Sequence, residues 1–454
     1  MSSIQSSLFG TDGIRGEANR YPMTAQLALR LGRAVAHHFK ARRDSAPILI
    51  GRDTRQSGPM LEHAVAAGVT SMGGDVVLAG VLPTPAIALL TRSMPALASV
   101  VISASHNSYE DNGLKIFQGN ARKCSDATEI ELTNLIRSDV LDGQEPTGAG
   151  VGQISLMENA PRRYADLVLE KFASDLDLTG MKIAVDTANG AAYRTTPNVL
   201  ESLGATIALI NNQPDGCNIN RKCGSTYPEI IARHVLDAGA HVGLAHDGDA
   251  DRVIFADETG EVLDGDEVLA ILGLDLLRRG KLANNALVAT VMSNLGLDEC
   301  FNSAGGRVVR SAVGDRYVFE QMLLHELNLG GEQSGHIILR DYNDSGDGLL
   351  TALQLLRVMR TSGKRLSELR QCMRKYPQLL INLAVKEKRP IESMPEVVAA
   401  LQSVEKTLGQ SGRVFLRYSG TEKKIRLLLE AREEGQLQPL AEEVLKPVRA
   451  LIGC

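Results

Sequence analysis

The sequence predicts an α/β protein: three successive α/β blocks followed by a smaller C-terminal α+β domain. Three observations carry that reading. Amphipathic helical stretches alternate with short apolar runs from Thr24 onward. A polar, glycine-rich gap near 143–152 interrupts the alternation, which then resumes. After Gly363 the order changes to adjacent strands followed by a helix, the pattern of an α+β domain. A chain of 454 residues also exceeds what one ordinary hydrophobic core serves.

The first block, 1–150, has strands predicted at 47–50, 75–79 and 99–102, each a short apolar run bounded by turn residues. The second, 151–251, repeats this at 182–185, 205–210 and 241–245. The third, 252–365, opens on an apolar run at 252–255. It continues through a helix over 265–279, strands at 286–291 and 307–313, a helix from Asp315 and a last helix over 346–360. The C-terminal domain, 366–454, carries a strand at 379–385, a helix at 393–408, adjacent strands at 413–418 and 424–430, and a terminal helix. No residue-level repeat is visible, but three blocks of similar size suggest repeated architecture.

Composition narrows the function. Hydrophobic residues make up 44% and charged residues 23%, the balance of a soluble globular chain. No apolar run reaches the length of a membrane span, and the polar first eight residues lack a signal core, so the expected compartment is the cytoplasm. A net charge of −5 gives no broad attraction for nucleic acid and leaves phosphate binding to local Arg and Lys clusters. The six cysteines are scattered without the two-residue spacing of zinc or thioredoxin-type sites and are read as reduced thiols. Aromatic residues total 4% with no Trp, so ligands are expected to be held by polar groups and charge rather than by stacking.

Four constellations carry chemistry. Ser103-Ala104-Ser105-His106-Asn107 follows a predicted strand, where ligands gather in α/β folds. A phosphate ester of a serine is very stable in water, so Ser105 is suited to storing a phosphoryl group. Alone, the motif reads as an ordinary turn. Asp247-Gly248-Asp249-Ala250-Asp251-Arg252 places three carboxylates at alternate positions, where in extended chain they project to one side and converge on a cation. Their mutual repulsion is relieved by a divalent ion, and an all-oxygen set suits magnesium. The nearby Asp264-Gly265-Asp266 reads instead as a solvated acidic turn opening a helix.

The third, Gly330-Gly331-Glu332-Gln333-Ser334-Gly335-His336, is a tight loop in which Glu332 and Ser334 offer hydrogen bonds to sugar hydroxyls; read alone it is a polar loop. The fourth, Arg417-Tyr418-Ser419-Gly420-Thr421-Glu422 with Arg426, combines a guanidinium fork, hydroxyls and a potential amide nest, all features that hold phosphate; a solvated hairpin turn fits it equally. Arg15 in the segment 9–16, and Arg52 and Arg55 in Gly51-Arg52-Asp53-Thr54-Arg55, stand where they could neutralise a phosphate. Lys115 is near Ser105 in sequence and qualifies as a general acid or base if its pKa is lowered.

Taken together and in this order, the motifs resemble those of the α-D-phosphohexomutase family over essentially the whole chain. The resemblance implies three related α/β domains with mixed sheets, a smaller C-terminal domain and an active site in the central cleft. It implies that Ser105 is phosphorylated and that its phosphate with Asp247, Asp249 and Asp251 ligates Mg2+. Arg252, Glu332 and Ser334 would bind the sugar, and Arg417, Ser419, Gly420 and Thr421 with Arg426 the phosphate that is not reacting. Arg15, His106, Lys115 and His336 join Ser105 as catalytic candidates, with the proton carrier left open between Lys115 and His336. Segments 9–16, 214–220, 223–229 and 313–317 are similar to the branch acting on amino sugars. That branch interconverts glucosamine 6-phosphate and glucosamine 1-phosphate through a phosphoserine enzyme and a sugar bisphosphate. The partners expected are therefore a hexosamine phosphate and its bisphosphate, with no nucleic acid and no membrane. A second copy of the chain, in a homodimer, is the one macromolecular partner entertained. Open alternatives are a mutase of glucose or mannose phosphates, a magnesium-dependent sugar phosphatase and a non-catalytic sugar-phosphate sensor.

Overall fold

A computed structural model describes residues 8–10, 12–42, 45–409, 411–419 and 423–453. The chain forms two compact units, Met1–Met292 with Gly306–Gln371, and Ser293–Gly305 with Cys372–Cys454.

The first unit contains three sheets. The first sheet comprises β1 (Ile14–Glu17), β2 (Ile48–Arg52), β3 (Val76–Val81), β4 (Ala98–Ile102), β5 (Asp111–Gln118) and β6 (Ile154–Leu156), in the order β1-β5-β4-β2-β3-β6. The second has β7 (Lys182–Asp186), β8 (Thr206–Ile210), β9 (Val242–His246), β10 (Val253–Asp257) and β11 (Val262–Leu263), ordered β11-β10-β9-β7-β8. The third has β12 (Ala286–Thr290), β13 (Arg307–Ser311), β14 (Leu329–Gly331) and β15 (Ile337–Leu339), ordered β13-β12-β14-β15.

All three share one arrangement. A parallel set ends in a strand whose chain turns back as an antiparallel neighbour: β4 into β5, β9 into β10 and β14 into β15. The three turns, 103–110, 247–252 and 332–336, are the loops singled out in the sequence. Strands β4, β9, β10 and β12 are buried at every residue, so they read as continuous apolar runs rather than alternating ones.

Two boundaries differ from the sequence reading. The run expected to open the third block at Arg252 belongs to the second sheet, since β10 pairs antiparallel with β9 from Val253↔His246 to Asp257↔Val242. Apolar character reveals a strand but not its partner, and the six-residue turn returns the chain onto β9. Likewise β6 extends the first sheet past residue 150 by pairing with β3. Strands β5, β14 and β15 had no strand signal of their own: β5 carries Asn112 and Gly113, and the other two are three residues long.

The second unit is an antiparallel sheet of β16 (Gln378–Ala384), β17 (Gly412–Tyr418) and β18 (Lys424–Ala431), ordered β16-β18-β17. Helices Pro395–Leu408 and Leu437–Ile452 bury Val397, Val404, Val444 and Val448 with Ile425 and Leu427 of the sheet. The unit also takes helix Leu295–Ser303 from the chain between β12 and β13. There the Asn294 amide acts as a backbone surrogate: Oδ1 accepts from Gly296 N and Tyr376 N, each at 2.9 Å, and Nδ2 donates to Tyr376 O at 2.9 Å. No helix among the described residues is long and apolar enough to cross a membrane.

Candidate active site

Ser105 follows β4 and is buried, with a left-handed backbone (φ +51°) that a residue bearing Cβ seldom adopts. Its Oγ donates to Asp247 Oδ2 at 2.6 Å, and His106 Nδ1 lies 3.3 Å from Ser105 Oγ. Burial first, then the cations of Arg252 and Arg15, push the His106 ring down to about 4, so it is neutral at pH 7.

The turn between β9 and β10 sets Asp247, Asp249 and Asp251 together, all buried, with ligand oxygens within 4.8 Å of one another. Ala250, at φ +56°, makes the backbone curl that alternate spacing requires. Burial, then Asp251 and Asp249, push the Asp247 carboxyl well above the usual carboxylate range. Asp249 Oδ1 and Asp251 Oδ1 are buried without a hydrogen-bond partner, an arrangement that a cation relieves. The site therefore fits a divalent metal on its own chemistry.

Cations close the other side. Lys115, on β5, has its ammonium 2.8 Å from Asp249 Oδ2, 3.0 Å from Asp12 Oδ2 and 3.7 Å from Asp251 Oδ2. Burial pulls this ammonium down, but Asp12, Asp249 and Asp251 outweigh burial and raise it. The lowered pKa that would make Lys115 a base is thus absent; it is a fixed cation and hydrogen-bond donor. Thr84 Oγ1 also donates to Asp249 Oδ2, at 2.5 Å. Arg15 pairs with Asp12 and reaches Ala104 O at 3.5 Å, and Arg252 Nε is 3.8 Å from Asp251 Oδ1.

His336 lies between two carboxylates, with Nδ1 3.6 Å from Asp251 Oδ2 and Nε2 3.6 Å from Asp315 Oδ2. Burial lowers its pKa, yet Asp251, Asp315 and Glu332 carry it to about 9. Gly346 N also donates to Nε2 at 3.2 Å, a bond only the neutral ring accepts. The two carboxylates face both nitrogens and favour the charged ring. Lys123 bridges Asp315 and Asp12, the latter at 2.5 Å. Glu332 is half-buried and accepts from Gly314 N at 3.0 Å, which ties the third loop to the helix Asp315–Leu324; Ser334 is exposed.

In the second unit Arg417 and Arg426 are direct cross-strand partners on β17 and β18. Burial and then the Arg426 charge lower Arg417, the signature of like charges that an anion would relieve. Ser419 is buried and its amide donates to Lys424 O at 2.8 Å. Gly420 and Thr421 lie outside the described residues.

The first unit thus brings together Ser105, His106, the three aspartates, Lys115, His336, Arg15 and Arg252. Sequence reasoning missed Asp12, Thr84, Lys123 and Asp315. Asp12 and Asp315 stood inside quoted segments, but Lys123 in Ala121-Arg122-Lys123-Cys124 carried no signal. Two other readings change. Arg55 does not face a phosphate: its side chain is fully buried against Asp53 and backbone carbonyls. The Asp264–Asp266 turn does open a helix, with an Asp264–Glu267 capping box, but Asp266 and Glu267 are buried rather than solvated.

Four family models match the chain in order. They are Phosphoglucomutase/phosphomannomutase alpha/beta/alpha domain I over 6–141, domain II over 162–260, domain III over 264–376 and the C-terminal domain over 380–446. Phosphoglucosamine mutase of Syntrophotalea carbinolica is 51% identical over 453 residues, 99% of each chain. That of a Geobacter species is 51% identical over 446 residues, 98% of each. Among solved structures, a phosphoglucomutase/phosphomannomutase family protein from Burkholderia thailandensis superposes with a TM-score of 0.80 at 23% identity, covering 99% of this chain and 98% of that one. Aspergillus fumigatus N-acetylphosphoglucosamine mutase, in complex with GlcNAc-6P and magnesium, gives 0.69 at 17% identity over 97% and 95%. At such identities the structures attest the fold, whereas the ordered family models and the full-length relatives settle kinship: the chain belongs to the phosphoglucomutase/phosphomannomutase family of phosphohexose mutases.

Proposed function

We propose that the protein is a phosphoglucosamine mutase, interconverting glucosamine 6-phosphate and glucosamine 1-phosphate through phosphoserine 105 and a sugar bisphosphate. The observation that carries the chemistry is the Ser105 hydroxyl 2.6 Å from Asp247 beside two unpartnered carboxylate oxygens. The amino sugar rests on relatives 51% identical over the full chain. Asp247, Asp249 and Asp251 would hold magnesium, which when bound offsets charge on the transferring phosphoryl group.

In the forward half-reaction the bond from phosphorus to Ser105 Oγ breaks and one to a sugar hydroxyl oxygen forms. The other phosphate then returns to Oγ. Lys115 stays a cation throughout and stabilises negative charge, while His336 presents N–H donors near the same carboxylates. The proton lost by the attacking sugar hydroxyl is the one the freed Ser105 Oγ gains, and His106, neutral and with Nδ1 3.3 Å from Oγ, is the group that passes it in either direction. Arg15, Arg252, Glu332 and Ser334 orient the sugar phosphate, and Arg417, Ser419 and Arg426 are the anion-binding groups for the phosphate not in transfer.

Two assays test this reading. Ser105→Ala is expected to lose isomerisation while keeping its circular dichroism spectrum; full activity in that variant sinks the proposal. A panel of glucosamine, glucose and mannose 6-phosphates is expected to give the highest kcat/KM for glucosamine. A higher value for a neutral sugar reassigns the substrate, and net release of inorganic phosphate reassigns the reaction.

A further inference from the structure

The Ser105 loop is held from beneath by a guanidinium with no donor to spare. Arg55 Nε donates to Asp53 Oδ2 at 2.9 Å. One terminal nitrogen donates to Ser105 O at 3.0 Å and Asn107 O at 2.9 Å; the other donates to Ser108 O and to Asp111 O at 3.0 Å. Five N–H groups meet five acceptors, so none is left for a ligand. Asp53 fixes the loop at a second point by accepting from Ser103 Oγ at 2.6 Å, and that hydroxyl in turn accepts from Ser105 N at 3.0 Å.

A second donor reaches the same carbonyls from the second sheet's side. Asn220 Nδ2 lies 2.8 Å from Ser105 O and 2.9 Å from Asn107 O. The segment carrying Arg55 is docked there too: Thr54 Oγ1 donates to Asn189 O at 2.6 Å and Gln56 N to Gly216 O at 2.9 Å. Ser105 O also abuts Gly248 of the aspartate loop, where an added Cβ would come within 2.6 Å of it.

We propose that Arg55 and Asn220 are positioning residues for the carrier serine: by capping its carbonyl from two sides they hold Ser105 in the left-handed conformation that turns Oγ onto Asp247. A serine there would otherwise relax toward the ordinary backbone regions, which swings Oγ away. The proposal rests on the reading of Ser105 as phosphoryl carrier. It adds that register between the serine loop and the aspartate loop is set by backbone carbonyls rather than by the reacting side chains.

The test compares Arg55→Lys and Asn220→Gly with wild type and with Ser105→Ala. Lysine keeps the charge but cannot span four carbonyls. Glycine accepts the φ of +58° at Asn220 and removes only the amide. Arg55→Lys is expected to lower kcat by about 100-fold and Asn220→Gly by about 10-fold, the scale of an ångström-sized misplacement. KM for the sugar phosphate should stay within about threefold, because binding groups elsewhere are untouched. The rate at which a sugar bisphosphate phosphorylates Ser105 should fall in step with kcat. Wild-type kcat in a folded variant overturns the proposal, as does a loss carried by KM. If Arg55→Lys fails to fold, Asn220→Gly decides alone. Isomerisation persisting in Ser105→Ala is a different outcome and removes the carrier reading itself.

Discussion

At the scale of single residues, burial decides which charges are fixed and which titrate. Lys115 among three carboxylates is fixed, whereas Asp347 is not. Asp347 caps the helix Gly348–Ser362 by accepting from Leu350 N at 3.0 Å, and Tyr164 donates to it at 3.3 Å. Burial nevertheless carries its carboxyl up from 3.8 to about 6. A raised carboxyl pKa means the folded state holds the proton more tightly than the unfolded chain. The cost of ionisation is therefore present above about pH 6 and is lifted as pH falls from 6 to 4. Asp347→Asn keeps a capping oxygen and removes the charge. It is expected to be more stable than wild type at pH 7.5 by up to about 3 kcal/mol, with the gap closing by pH 4. Urea midpoints of the two proteins across that range check this, and a gap independent of pH would refute it.

At the scale of elements, three sheets repeat one device: the last parallel strand ends in a chemistry-bearing turn, and an antiparallel strand returns beside it. That return makes the turns short and anchors both ends. Helix packing behind the first sheet is equally strict. Helices Ala25–His38 and Gly58–Ser71 approach at Gly32 and Gly68, where a Cβ on Gly68 would run into Leu29 O and come within 2.9 Å of Arg33 N. Gly68→Ala is expected to destabilise the first unit by about 1–3 kcal/mol through overpacking. The folded fraction should keep wild-type kcat, because neither helix carries a site residue. An unchanged urea midpoint would show that the helices can separate freely.

For the whole molecule, the proposed metal at the aspartate site would couple stability to metal concentration. Asp249 and Asp251 each keep a buried oxygen without a hydrogen-bond partner, and burial with these two neighbours disfavours the ionised form of Asp247, so a cation is expected to stabilise the fold. Magnesium at about 100 times its Kd should raise unfolding free energy by about 2.7 kcal/mol. Asp247→Asn, lacking the charge that burial and the neighbouring aspartates disfavour, should melt higher than wild type under chelator and gain less from magnesium. Calorimetric melts with and without chelator check both. Absence of any shift at saturating magnesium would remove the metal assignment.

The sequence by itself determined the fold class, most strands of the parallel sets and the motifs from which the candidate site is built. Apolar runs and the Ser105, Asp247–Asp251 and Glu332–His336 motifs are local signals, legible because spacing alone puts their groups together. Only the tertiary structure decided that 253–257 joins the second sheet, that Leu295–Ser303 packs in the C-terminal unit, and that Lys115 and His336 sit among carboxylates from distant segments. The same holds for Arg55, whose neighbours in sequence suggested a phosphate ligand and whose neighbours in space are carbonyls. Strand partners, pKa values and the destination of a long side chain depend on what faces a residue across the fold. One-dimensional periodicity carries no record of that.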